Sequence, residues 1–291
     1  MTNTTRRKLR LTDSNYYSEK ANLRYISVSQ YKDFFGTLED KGCEACALAK
    51  LRGEYIEEPT TAMLVGSYVD SYFEGSLDLF KERHPEILKK DGTLKADYVQ
   101  AEEIIKRIER DPKLMQYLSG KKQTIMTGEL FGADWKIKMD SYIEGRAIVD
   151  LKIVDNIRKP HFCKDTGKLS FIQARAYDFQ LAVYQRIVEI NTGLRLPCYI
   201  VAADKTKVTN IALVHITQGE LDAALVGVQY GVPRILELKQ SLFPSPPCAP
   251  LVRRGEGAGG EVEPPHRCEE CNYCKQTKVI TAPVSMNSLI E

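Results

Sequence analysis

Asp140, Asp150 and Lys152 are the residue types that metal-assisted hydrolysis needs, set close together in the chain. Strand side chains alternate with period two. In the run Ala147 to Val154 the side chains of Ile148, Asp150, Lys152 and Val154 therefore project together, and upstream Lys136, Lys138, Asp140 and Tyr142 share a face opposite Ile137 and Met139. Two carboxylates and an ammonium can then converge. Asp140 and Asp150 would hold Mg2+ or Mn2+ through hard oxygen ligands, polarising a phosphate and a bound water, and Lys152 would orient or deprotonate that water. A surface hairpin with a neighbouring Asp–Lys pair has the same local pattern and contributes little. Against it, Asp150 and Lys152 interrupt a β-branched run that reads as buried, where unpaired charge is costly.

The elements around these residues are readable in outline. Residues 123–154 alternate apolar and polar types and carry turn signals at Phe131-Gly132-Ala133 and Glu144-Gly145, predicting three strands joined by tight turns. Glu129, in the first strand, reads as a solvated residue. Before them, helical patterns run from an N-cap at Ser27 or Ser29 through Tyr55, interrupted at glycines, then from Thr61 to about Phe80 and from Ala96 to Tyr117. Asp70 lies on or beside the apolar face of the second of these. After the strands, Asn156 to Ser170 reads as a basic loop and Phe171 to Ile190 as a long amphipathic helix, in which Gln180 and Tyr184 sit one turn apart and face the same way. Residues 198–203 and 208–216 have strand composition, and a helix from about Gln218 to Lys239 is stopped by Pro244 to Pro250. Strands, a long helix and further strands predict an α+β core, a mixed sheet with helices on both faces.

A second constellation lies near the C-terminus. Cys268, Cys271 and Cys274 form a C-x-x-C-x-x-C run, the ligand spacing of [4Fe–4S] sites whose fourth cysteine comes from elsewhere. Zn2+ is the competing cargo, with His266 as a further donor cramped against Cys268.

These pieces together resemble the PD-(D/E)XK nuclease superfamily. Asp140 followed by Asp150-Leu151-Lys152 looks like its metal and water motif, and Gln180 with Tyr184 matches the Gln-x-x-x-Tyr helix motif of its RecB-like branch. The resemblance implies a restriction-endonuclease-like core in which that pair helps to hold DNA. It also implies a metal-binding residue at position 70, where the RecB-like and RecE-like nucleases carry His after a Gly spaced as Gly66 is here; this chain has Asp, which binds Mg2+ without the acid–base role of His. Iron–sulfur members have one cysteine before the nuclease core and three after it, which implies Cys43 as the first ligand, with Cys46 as its alternate. Cys163, Cys198 and Cys248 then read as ordinary thiols.

The whole is most similar to phage RecE-type exonucleases, which resect linear double-stranded DNA for a single-strand annealing protein. That similarity implies duplex DNA ends and an annealing protein as partners, and allows a ring-like homo-oligomer. A RecB-like endonuclease, a CRISPR-adaptation-type trimming nuclease and an inactive cluster-stabilised DNA-binding module share the same motifs.

Composition bounds these readings. A chain of 291 residues, 43% hydrophobic, can bury a sizeable core, and a net charge of +2 does not by itself announce a nucleic-acid binder. Basic residues do cluster at Arg6, Arg7, Lys8 and Arg10, at Lys121, Lys122, Lys136 and Lys138, and at Arg158, Lys159, Lys164 and Lys168, where they could track phosphates. No apolar run reaches the length of a membrane span and the N-terminus lacks a signal-peptide segment, so a cytoplasmic protein is expected, in the host cytoplasm if phage-encoded. Eight cysteines in that compartment read as ligands before disulfides. The expected organisation is a flexible tail over 1–24, a helical part over 25–120, the nuclease core over 121–243, a flexible loop over 244–265, and the cysteine-cluster segment with a tail over 266–291.

Overall fold

The computed structural model describes residues 9–164, 167–242 and 262–280. Arg6, Arg7, Lys8, Cys248 and most of the Gly-rich loop expected after it lie outside the described residues. Residues 9–24, expected as flexible tail, form α1 (Glu19–Arg24) and bury Tyr16 and Ala21. Ser27 caps α2 (Val28–Phe35) by accepting from Gln30 N, and α3 (Glu44–Leu51) starts at Cys43. The turn between them is tight: Gly36 has φ +79°, and a Cβ on Gly42 would lie 2.4 Å from Phe34 O.

The two long helices expected next each break in two. α4 (Thr61–Glu74) ends at Gly75 in the left-handed region, before α5 (Leu77–Arg83). α6 (Ala96–Glu109) stops ahead of Asp111 and Pro112, which cap and open α7 (Pro112–Tyr117).

The expected three-strand meander is four strands in two sheets. β1 (Thr124–Leu130) and β2 (Ala133–Met139) pair as a separate antiparallel hairpin. β3 (Ser141–Ile143) and β4 (Ala147–Val154) begin the main sheet, whose order is β3-β4-β7-β8. The segment expected as a loop carries a small ribbon, β5 (His161–Cys163) with β6 (Gly167–Leu169). α8 (Phe171–Ala174) and α9 (Tyr177–Thr192) replace one long helix, because Ala176 takes φ +49° between them. β7 (Cys198–Asp204) runs parallel to β4, and β8 (Ile211–Ile216) antiparallel to β7, so the sheet is mixed. α10 (Gln218–Ala224) and α11 (Val228–Ser241) are separated at Gly227, φ +89°, and α12 (Asn272–Gln276) lies in the C-terminal segment.

Alternation along β4 and β7 buries both faces of the sheet. Ile148, Val154, Cys198, Ile200 and Ala202 join one core with residues of α2, α3, α9, α11 and the β1–β2 hairpin. Val149, Leu151, Val201 and Ala203 join a second core with residues of α4, α6 and α7. The fold is therefore mixed α+β, with a helical N-terminal region, helices on both sheet faces and a C-terminal cysteine cluster. No described helix is long and apolar enough to cross a membrane.

Candidate active site

The shortness of β3 makes the site. It pairs with β4 only from Ala147 to Val149, so the edge of β4 is left open where Asp150 to Lys152 follow. Asp140, in the break between β2 and β3, fills that edge: its Oδ2 accepts from Leu151 N at 3.0 Å. Ser141 fixes the break by donating to Tyr117 O at 2.8 Å and accepting from Gly120 N at 3.0 Å. Asp70 arrives from α4, on the other side of the sheet, to face the same gap, where a cavity of about 10 Å3 is lined by Asp70, Glu74 and Asp140.

Asp150 is 1% exposed in the middle of β4. Its Oδ1 accepts from Gln180 Nε2 at 2.8 Å, and Gln180 Nε2 also lies 3.3 Å from Tyr184 OH, so the α9 pair meets the carboxylate directly. Lys152 Nζ is 2.5 Å from Asp150 Oδ2 but off the hydrogen-bonding direction. Asp70 Oδ1 is likewise buried without a hydrogen bond. Buried oxygens left this way are costly unless something else satisfies them.

Burial, and then the charge of Asp150, push the Asp140 pKa up to about 7. Burial, and then Asp140, hold the Asp70 carboxyl well above the carboxylate range. For Lys152 burial alone would lower the pKa, but Asp150 and Asp140 outweigh it and keep the ammonium protonated. Burial also raises Tyr184. Three crowded carboxylates with two unsatisfied oxygens form a hard-oxygen donor set that a divalent cation fits. The set opens into a cleft of about 390 Å3, lined among others by Asp70, Asp140, Gln180 and Tyr184.

Sequence reading missed several residues of that cleft. Tyr16 and Tyr17 come from the segment expected as tail. Glu74 follows Asp70 by one helical turn, a spacing that could have marked it. Lys32 bonds Arg175 O at 2.7 Å, and its pKa is lowered to about 8 by burial and by Lys152; no local pattern signals it. The basic group at 121–138 is divided among different partners. Lys136 is buried and donates to Tyr16 O and to Asn22 Oδ1, while Lys121 pairs with Glu144 at 2.5 Å. Lys136 and Lys138 line the cleft, and Lys122 lines the small cavity beside Asp70 and Asp140. Glu129 is exposed.

The sulfurs of Cys43, Cys268, Cys271 and Cys274 lie within 4.8 Å of one another. Cys43 Sγ accepts from Cys46 N, Cys268 Sγ from Cys271 N and Cys271 Sγ from Cys274 N, so local turns aim the thiols inward. Burial would raise Cys268, but backbone N–H groups of Cys271 and Glu270 bring it down to about 7, which favours the ligating thiolate. Cys46, the alternate to Cys43, is outside the four-sulfur group, and burial pushes its thiol up to about 12. His266 contributes backbone: its O accepts from Ala45 N and its N donates to Glu44. Glu44 in turn pairs with Arg234 of α11 through two bonds of 3.0 and 2.9 Å, and Arg234 also donates to Glu263 O and Pro264 O, so α3, α11 and the C-terminal segment are tied together. Four thiols in a tetrahedral-sized group fit a metal ion or an iron–sulfur cluster. Cys198 is buried against Leu181 O, and Cys163 sits in β5.

No curated protein matches the chain. A crystal structure of a "putative exonuclease" from Eubacterium rectale superposes with a TM-score of 0.88 at 48% identity, covering 97% of this chain and 98% of that one. The crystal structure of SSO0001 aligns with 60% of this chain and 77% of its own at 11% identity and a TM-score of 0.25, too distant to argue from. A family model described as a PDDEXK-like domain of unknown function (DUF3799) matches residues 27–249. With that match across most of its length, the chain belongs to the PDDEXK-like domain family.

Proposed function

We propose that the protein is a Mg2+- or Mn2+-dependent DNA exonuclease of RecE type, resecting linear duplex ends for a single-strand annealing partner. The observation that carries the reading is the convergence of Asp70, Asp140, Asp150 and Lys152 at the open edge of β4. It is supported by the kinship with a protein called a putative exonuclease.

Asp140 and Asp150, with Asp70, hold the cation. When bound, the ion supplies Lewis-acid activation of a phosphate and of a water. Lys152 positions that water and offsets charge on the phosphate. Gln180 keeps Asp150 in its rotamer, and Tyr184 braces Gln180, so this pair orders the site from the side on which a DNA end enters. The four cysteines hold a [4Fe–4S] cluster, with Zn2+ as the competing occupant, and their task is to fasten the C-terminal segment to α3 rather than to transfer electrons.

The test separates chemistry from binding. Lys152→Ala is expected to bind duplex DNA and Mg2+ within a few-fold of the parent while hydrolysis falls by about 10²-fold or more. A fully active Lys152→Ala protein would remove the proposed role.

A further inference from the structure

Residues 156–170, between β4 and α8, carry Arg158, Lys159, Lys164 and Lys168 against one acidic residue, Asp165. Within them β5 and β6 form a two-stranded ribbon apart from the main sheet, and neither strand has a buried residue. Such a hairpin is at best marginally stable by itself. This one is tied down at its base: His161 Nδ1 bonds Glu39, and Glu39 bonds Arg175 Nε at 2.8 Å. Arg175 O in turn accepts from Lys32 in the cleft wall. The ribbon is therefore linked to the cleft wall through two residues, Glu39 and Arg175.

Two features of the ribbon are turned outward among the described residues. Phe162, opposite Lys168 in the register, is 78% exposed. The side chains of Arg158, Lys159, Lys164 and Lys168 are exposed and form no ion pair with a described residue. An exposed aromatic ring on a segment rich in exposed cations is complementary to a nucleic-acid end, whose bases stack and whose phosphates attract Lys and Arg. The cleft, at about 390 Å3, has room for a nucleotide and not for a double helix. A duplex end that feeds a single strand into this cleft, towards Asp140, would have to open.

We propose that the β5–β6 ribbon is a duplex-end wedge, with Phe162 stacking on the terminal base pair and the four cations holding the flanking phosphates. Its placement rests on the nuclease reading, since along the chain it connects the strand bearing Asp150 and Lys152 to the helices that lead to Gln180 and Tyr184. Its binding does not.

A blunt duplex with 2-aminopurine at its terminal pair tests binding without added divalent cation. Stacking on Phe162 changes the probe's fluorescence; Phe162→Ala abolishes the change and weakens binding about tenfold, and Phe162→Trp retains both. Lys164→Ala combined with Lys168→Ala lowers the slope of log affinity against log salt by about two. With Mg2+ added, Phe162→Ala slows digestion of the blunt duplex about tenfold but spares a duplex with splayed ends. An unchanged signal and affinity in Phe162→Ala overturns the wedge, whatever the hydrolysis. So does a change confined to self-association, which would make the ribbon a contact between copies. Stacking by a protein that does not hydrolyse DNA upholds the wedge and overturns the nuclease reading instead.

Discussion

Asp140 and Asp70 hold their protons to higher pH than ordinary carboxyls because burial and neighbouring carboxylates disfavour the charged forms. Asp140 has a folded-state pKa of about 7 against an ordinary value of 3.8, so between these pH values the folded protein binds more protons than the unfolded chain. Stability in the absence of divalent cation therefore falls as pH rises through that window. Asp140→Asn removes the cost: its Tm without added cation should exceed the parent's at about pH 8 and differ least at about pH 4. Equal thermal curves at about pH 8 would contradict the crowding of the carboxylates. For the same reason Mg2+ should raise the parent's Tm more at about pH 8 than at about pH 6, because at the lower pH it must displace a proton.

At the scale of elements, the geometry depends on short connections more than on long helices. Gly42 is the clearest case, because a Cβ there would strike the backbone of Phe34 and Phe35 at 2.4 Å. Gly42→Ala should shift Cys43 away from the other three sulfurs, costing roughly 2 kcal/mol or more in denaturant unfolding and lowering metal or iron content. Arg234→Ala, which removes both bonds to Glu44 and the bonds to Glu263 O and Pro264 O, should cost about 1–3 kcal/mol. It should also speed proteolysis around residues 262–280.

The face shared by Ile148, Asp150, Lys152 and Val154 is legible in the sequence, because strand alternation is a local property. Gln180 and Tyr184 are legible for the same reason on a helix. The open edge of β4 is not, since it follows from β3 starting only at Ser141, opposite Val149, and the approach of Asp70 to that gap is a tertiary contact. Nor is the order in residues 9–24, which depends on the distant Lys136 and Lys239: Lys136 bonds Tyr16 O and Asn22 Oδ1, and Lys239 bonds Asn22 O and Tyr25 O at 2.8 Å each. Charged types in those positions look solvated until the tertiary fold supplies carbonyl partners.

At the scale of the molecule, the cysteine group joins α3, near the start of the described chain, to its last described helix. A cluster bound there turns binding free energy into folding free energy. Its removal should lower Tm and loosen α2 and α3 while leaving the carboxylates of β4 in place. Visible absorbance of anaerobically purified protein distinguishes iron–sulfur from zinc. The carboxylate centre opens into the cleft of about 390 Å3, and none of the four cysteines lines it.

Digestion of linear, nicked and circular duplex DNA by anaerobically purified protein in Mg2+, with Asp150→Ala beside it, tests the central claim most directly. Loss of the linear substrate alone, abolished in Asp150→Ala, is the expected result. Cutting of circular DNA, or equal digestion by Asp150→Ala, would contradict an end-dependent nuclease centred on the open edge of β4.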